Sequence, residues 1–250
     1  MVDGRTMSDS LFLLVTIAVA FVAGAIAAVS GFGIGSLLTP LLAVRIGTKL
    51  AVAAVSIPHM TATALRLWIM RKEVDRRLLW SFGLMSAAGG LFGALLQAAA
   101  ESPVLTGLFS VLLIFTGVMG LTGLSERLRF RGWVGWVAGA VSGFLGGLVG
   151  NQGGIRSAAM LGFNVPRRAF VATATAVGVI VDLARTPVYL ATQGRELAEL
   201  WPWLLAATDG AVAGTLIGER VLRRLPDPVY RKLVAALVLA LGIFMLSRLW

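Results

Sequence analysis

Long apolar stretches of about 20 residues dominate the chain, each close to the length needed to cross a hydrocarbon core of about 30 Å. Reading these runs against their polar and glycine punctuation predicts eight hydrophobic segments. They cover roughly 10–44, 47–70, 78–100, 103–123, 133–163, 166–192, 201–219 and 229–248. Two of them are interrupted by glycine: the first at Ser30–Gly35, the fifth at Gly150–Gly154. The pattern predicts an all-α polytopic membrane protein.

The segments form two sets of four. A shift of 119 residues places Gly24 on Gly143, Gly31 on Gly150, Gly35 on Gly154, Val52 on Val171 and Arg66 on Arg185. A shift of 121 places Gly89 and Gly93 on Gly210 and Gly214, both small-xxx-small pairs that let helices approach closely. This gives a first repeat over residues 1–123, a cytoplasmic linker over 124–132 and a second repeat over 133–250. Equivalent loops carry opposite charge bias. Arg71, Lys72, Arg76 and Arg77 face a counterpart holding Arg195, Glu196 and Glu199, and Glu101 faces one holding Arg220, Arg223, Arg224, Arg231 and Lys232. Such reversal points to inverted repeats. Each broken segment is then expected to be re-entrant, with its glycine turn near the midplane, although that puts Arg45 and Lys49 outside.

Composition agrees: 58% of the 250 residues are hydrophobic and 14% charged, against about 25% charged in soluble domains. The net charge of +10 sits in short clusters between apolar runs, as the positive-inside rule expects, so no nucleic-acid partner is needed to explain it. With no cysteine, disulfides and thiolate chemistry are excluded. The first apolar stretch could pass for a signal peptide, but its recurrence inside the chain argues against cleavage. A multi-pass protein of the cytoplasmic membrane is expected.

Gly31-Phe32-Gly33-Ile34-Gly35-Ser36-Leu37-Leu38-Thr39-Pro40 resembles the glycine-rich signature that opens each half of the sulfite exporter TauE/SafE family. Ser142-Gly143-Phe144-Leu145-Gly146-Gly147-Leu148-Val149-Gly150-Asn151-Gln152-Gly153-Gly154 resembles its second copy. The resemblance covers essentially the whole chain. It departs from the family pattern at Ile34, where glycine is common, and at Asn151-Gln152. What it implies is a secondary carrier of sulfur-containing anions such as sulfite, sulfonates and sulfoacetate.

The residues themselves allow an anion site. Non-helical backbone inside a membrane is tolerated only where it is buried in protein or lines a cavity. A glycine turn followed by a half-helix presents free amides and a positive dipole end there. Gly33, Gly35 and Ser36 offer such amides in the first half, and Gly153, Gly154 and Ile155 in the second. The alternative is that these glycines only permit close packing.

Arg156 follows the second break, where a guanidinium costs at least ~2.5–3.5 kcal/mol to insert and so needs a task or a partner. Its forked donors suit an oxyanion; an ion pair with Asp209 is the structural alternative. Asn151 and Gln152 add neutral amides at the turn. Arg66 and Arg185 form a matched pair of anion-contact candidates. Arg66 could instead snorkel, being roughly 7.5 Å along its helix from Arg71, and Asp182 could neutralise Arg185 at i−3. His59, the single histidine, and Asp209 are candidates for coupling to a proton or cation. Gln97 carries little weight.

No cofactor or metal is expected. Partners are the bilayer, a small anion and a coupling proton or cation, and a homodimer is compatible with the pattern. An enzyme is disfavoured, since there is no paired acidic or His-x-x-x-His motif and Lys49, Lys72 and Lys232 lie at segment ends. A passive anion channel shares the electrostatics of a carrier, and a non-transporting scaffold subunit is a third reading.

Overall fold

The computed structural model describes residues 8–31, 33–124, 133–151, 153, 156, 160, 166–218, 220 and 227–249. Among them there are helices and turns and no strand. The helices are α1 (Asp9–Ser30), α2 (Ile34–Met70), α3 (Arg76–Ala99, with a π turn at Leu79–Gly83) and α4 (Ser102–Thr122). The second half has α5 (Trp133–Val149), α6 (Arg167–Glu199), α7 (Trp201–Ala213, leading into a π turn at Gly214–Gly218) and α8 (Asp227–Ser247). Five helical stretches are long and apolar enough to cross a membrane, and α5 and most of α8 are shorter apolar helices.

The path of the chain follows from a few contacts. Ser8 caps α1, and Gly31 ends it in the left-handed conformation (φ 82°) that a side chain would resist. The chain then doubles back, because Arg45 forms an ion pair with Asp9 and stacks 4.7 Å over the Phe12 ring. The first broken segment is therefore a hairpin that enters and leaves at one end of the bundle, the Asp9 end. Helical geometry breaks again at Gly47 (φ 76°), and the rest of α2 crosses to the opposite, Arg71 end. There α3 begins. It returns to the Asp9 end, where Gln97 Nε2 donates to the Lys49 carbonyl (2.8 Å) and Lys49 Nζ to that of Ala98 (2.6 Å). Next, α4 leaves from beside Thr48, whose hydroxyl lies 2.6 Å from that of Thr106.

The second half runs the other way. In the tight α3/α5 packing, Gly143 sits against the Ser86 carbonyl and Gly147 against that of Gly90, so the two helices are parallel and α5 sets out from the Arg71 end. Helix α6 also begins there, since Thr173 Oγ1 accepts from the Asp75 amide (2.9 Å). It ends by Gln193, which donates to Gln97 (3.1 Å) at the Asp9 end. Gly210 and Gly214 lie on the Ile17 and Phe21 carbonyls, which makes α7 parallel to α1. Gly117 against Leu239 and Gly242 against Ile114 make α4 and α8 antiparallel.

Two expectations change. The turns were expected near the midplane, but α1 alone has 22 residues, roughly 33 Å at 1.5 Å per residue, long enough by itself to cross a core of about 30 Å. Each turn is thus displaced towards the end opposite its own hairpin mouth: Gly31 lies against Ala174, one residue from Thr173 at the Arg71 end, and Gly150 against Val52, near Gly47. The 121-residue shift is also replaced. Gly89 packs on the Ala140 carbonyl and Gly214 on that of Phe21, its 119-residue counterpart, so Gly214 matches Gly89, one helical turn beyond the sequence alignment.

Candidate functional site

The two glycine turns are held by the same device. Gly31 N–H donates to the Ala27 carbonyl (2.9 Å) and Gly150 N–H to that of Gly146 (3.0 Å). Each of these carbonyls also accepts from an arginine 39 residues later, Arg66 in the first half and Arg185 in the second. Both guanidinium groups are buried. Arg66 Nε further donates to Thr175 Oγ1 (2.9 Å), so Arg66 does not snorkel. Arg185 binds Asp182, as its i−3 spacing predicts (2.9 Å). Tyr189, one turn on, donates to the Gly147 carbonyl. The matched arginines thus tie each break to a long helix from inside the protein.

Between these ties α2 and α6 run antiparallel along a polar seam. Arg66 meets Thr175; next, Thr63 faces Gly178; then His59 Nδ1 lies 2.6 Å from Asp182 Oδ2. His59 and Asp182 fall near the middle of the two crossing helices. Arg156 enters the seam at Gly178, where a Cβ would lie 3.1 Å from its Nη1 and 3.3 Å from Thr63 Cγ2. The missing side chain makes the room that the guanidinium occupies.

Arg156 joins the halves. Its Nη2 donates to the Gly31 carbonyl (2.9 Å), while Nε and Nη1 have no hydrogen-bond partner among the described residues although the residue is only 2% exposed. Nearby the breaks touch, for a Cβ at Gly35 would collide with the Gly150 carbonyl. Asn151, next in the chain, has its Nδ2 buried with no partner among the described residues, and the same holds for the Thr39 hydroxyl, which faces Gly150. On the other side, α2 makes its first backbone bond from Leu37 N–H to Gly33 (3.1 Å), leaving the amides of Ile34, Gly35 and Ser36 without helical partners. A buried donor left unpaired costs about 1–3 kcal/mol, more if charged. Donors this numerous, cationic at one point and neutral at the rest, match an oxyanion.

Of the other candidates, Gly153 is buried, and Gly154, Gln152 and Ile155 lie outside the described residues. Asp209 is on the exposed face of α7 and makes no ion pair with Arg156 among the described residues. Sequence reasoning missed Thr39, Thr63, Gly178 and Tyr189, and it discounted Gln97, which is fully buried and bonds both Lys49 and Gln193. Polar residues at helical spacing along α6 (Gly178, Asp182, Arg185, Tyr189) were the available signal. Among the described residues no cluster of acidic and histidine side chains could hold a metal ion.

A cavity of about 760 Å³ lies elsewhere among the described residues. It is an apolar groove between the first hairpin and α8, lined by residues such as Val19, Leu37, Leu41 and Leu241, with Arg45 and Arg248 among its lining residues. Its walls offer few donors, so the orphaned donors at the breaks mark the chemistry better than its volume does.

Comparison with curated proteins and with solved structures gives no match. A family model does match: Sulfite exporter TauE/SafE, over residues 16–245, which takes in both breaks, both long helices and the seam between them. With nearly the whole length matched, the chain belongs to the sulfite exporter TauE/SafE family of membrane transporters.

Proposed function

We propose that the chain is a secondary transporter that moves small sulfur-containing oxyanions (sulfite, sulfonates, sulfoacetate) across the cytoplasmic membrane by alternating access. The observation that carries this reading is the set of unpaired buried donors, Arg156 Nε and Nη1 and Asn151 Nδ2, where the two breaks meet. A sulfur oxyanion offers three acceptor oxygens and at least one negative charge, which suits one forked guanidinium plus neutral amides. Arg156 and Asn151 contact the anion, helped by the amides of Gly35 and Ser36. Gly33 and Gly153 shape the turns. Gly154 and Gln152 belong to the second turn by sequence. Arg66 and Arg185, engaged by the turn carbonyls, hold the breaks in place and do not reach for the anion.

The opposite directions of the halves support a carrier in which the two hairpins form inverted repeats, open towards opposite faces and share one site. Basic residues at the Arg71 end put that end in the cytoplasm. Both ends are latched here. Gln97, Lys49 and Gln193 join helices at one end; the Asp75–Thr173 bond and the Glu73–Arg168 pair (3.7 Å) do so at the other. Bonds between helices at both ends support the reading of a carrier that closes on either side, in preference to a continuously open pore. Flux through liposomes containing only the purified chain tests the reading. Saturating sulfite flux with trans-stimulation is expected; a non-saturating current would make it a channel, and no flux would make it a subunit of something else.

A further inference from the structure

We infer that the His59–Asp182 pair is a proton-binding site coupled to the anion site, so that one proton binds and moves with each anion. The inference rests on the anion site proposed above. His59 Nδ1 is 2.6 Å from Asp182 Oδ2, and Asp182 also holds Arg185 through Oδ1 at 2.9 Å. Asp182 is fully buried and the Arg185 side chain 2% exposed, whereas that of His59 is 12% exposed. With Nδ1–H donating to the carboxylate, an incoming proton forms its N–H bond at Nε2 and gives an imidazolium paired with Asp182; release reverses the step.

Geometry links this pair to the anion. Thr63 and Gly178, which flank the Arg156 guanidinium, are four residues from His59 and Asp182 on the same two helices. One helical turn, about 5.4 Å, therefore separates the two sites. The charges nearest His59 are Asp182, its direct partner, and Arg185 on the other oxygen of that carboxylate, both from α6; Arg156 lies one turn along the seam at Gly178, and Arg66 further along the helix of His59. Among the described residues α1, α7 and α8 bring no buried charge to it; Asp9 is paired at the bundle end and Asp209 faces outward. With His59 neutral, Arg156, Arg185 and Asp182 leave a net single positive charge. Protonation makes it two, which an arriving anion reduces. Proton and anion therefore favour one another at short range and low dielectric. The two halves also differ here. The counterparts of His59 and Asp182 at a 119-residue shift are Gly178 and Thr63, so the proton pair exists once, beside the single Arg156.

The test uses the purified full chain and methanesulfonate, a probe that stays a monoanion across the range and so adds no titration of its own. Its affinity is measured from pH 5.5 to 8.5, with proton uptake followed by a pH-indicator dye in weak buffer. Affinity is expected to weaken as pH rises, by up to tenfold per unit for one linked proton, with up to one proton taken up per anion bound. In His59→Gln, binding persists at the weak, high-pH level, pH-independent and without proton uptake; His59→Asn, which leaves the Asp182–Arg185 pair intact, is the second variant should the first fail to fold. PH-independent binding by the wild-type chain, or undiminished proton uptake by His59→Gln, overturns the coupling while leaving the anion site standing. Absence of binding by wild type at every pH overturns both.

Discussion

Arg156 donates to the carbonyl of Gly31, so a charged side chain from the second glycine break ends on the backbone of the first. One donor of its fork is spent on holding the halves together, and Nε and Nη1 remain unpaired among the described residues. In the proposed function the same residue reads the anion and reports its presence to both hairpins.

The matched arginines behave differently from Arg156 in this account. Arg185→Ala removes the bond to the Gly146 carbonyl and one partner of the buried Asp182, a loss of roughly 3–5 kcal/mol for a broken buried pair. Arg66→Ala removes bonds to Ala27 and Thr175, at about 1.5–3 kcal/mol for each charged hydrogen bond. Both variants are expected to melt at markedly lower temperature, with conservative lysine variants recovering part of the loss. An unchanged melting temperature would show that neither arginine holds its turn.

Gly178 gives a finer probe. Alanine there puts a methyl group 3.1 Å from Arg156 Nη1, so the guanidinium must shift by a few tenths of an ångström. Overpacking of this kind costs about 1–3 kcal/mol, and the expectation is a sulfite affinity reduced about 5- to 100-fold. Equal affinity in Gly178→Ala would mean that Arg156 is not held where the anion binds.

How much of this was legible beforehand differs by level. The all-helical polytopic character and the two breaks came from apolar run length and glycine clusters, because a bilayer imposes length and backbone satisfaction on each segment separately; the expected segment 10–44 takes in α1 and the part of α2 before Gly47. Arg66 and Arg185 were matched by the 119-residue shift, yet their partners were not. The Ala27 and Gly146 carbonyls are backbone groups, invisible to any reading of side-chain types. The His59–Asp182 pair joins residues 123 apart through the α2/α6 register, which only tertiary packing sets. Asp209 drew attention because a carboxylate inside an apolar run is conspicuous, although helix rotation turns it outward. The one-turn offset between Gly89 and Gly214 arose because small residues recur along both helices and align almost equally well at neighbouring registers.

The opposed directions of the halves are open to labelling. The chain has no cysteine, so single cysteines can be introduced without a background. A cysteine at Glu101 should react with a membrane-impermeant maleimide on intact cells, and one at Lys72 only after permeabilisation. Both positions are exposed and lie at opposite ends of α3. Labelling of both from one side would contradict the path described here.

The proposed site puts the anion where Arg156 and Asn151 leave buried donors unpaired among the described residues. Equilibrium binding of sulfite to the purified wild-type chain and to folded Arg156→Ala and Asn151→Ala variants tests it most directly. The expected result is a loss of about 10- to 100-fold for Arg156→Ala, as for a charged hydrogen bond, and about 3- to 10-fold for Asn151→Ala. Sulfite affinity unchanged in both folded variants would contradict the account.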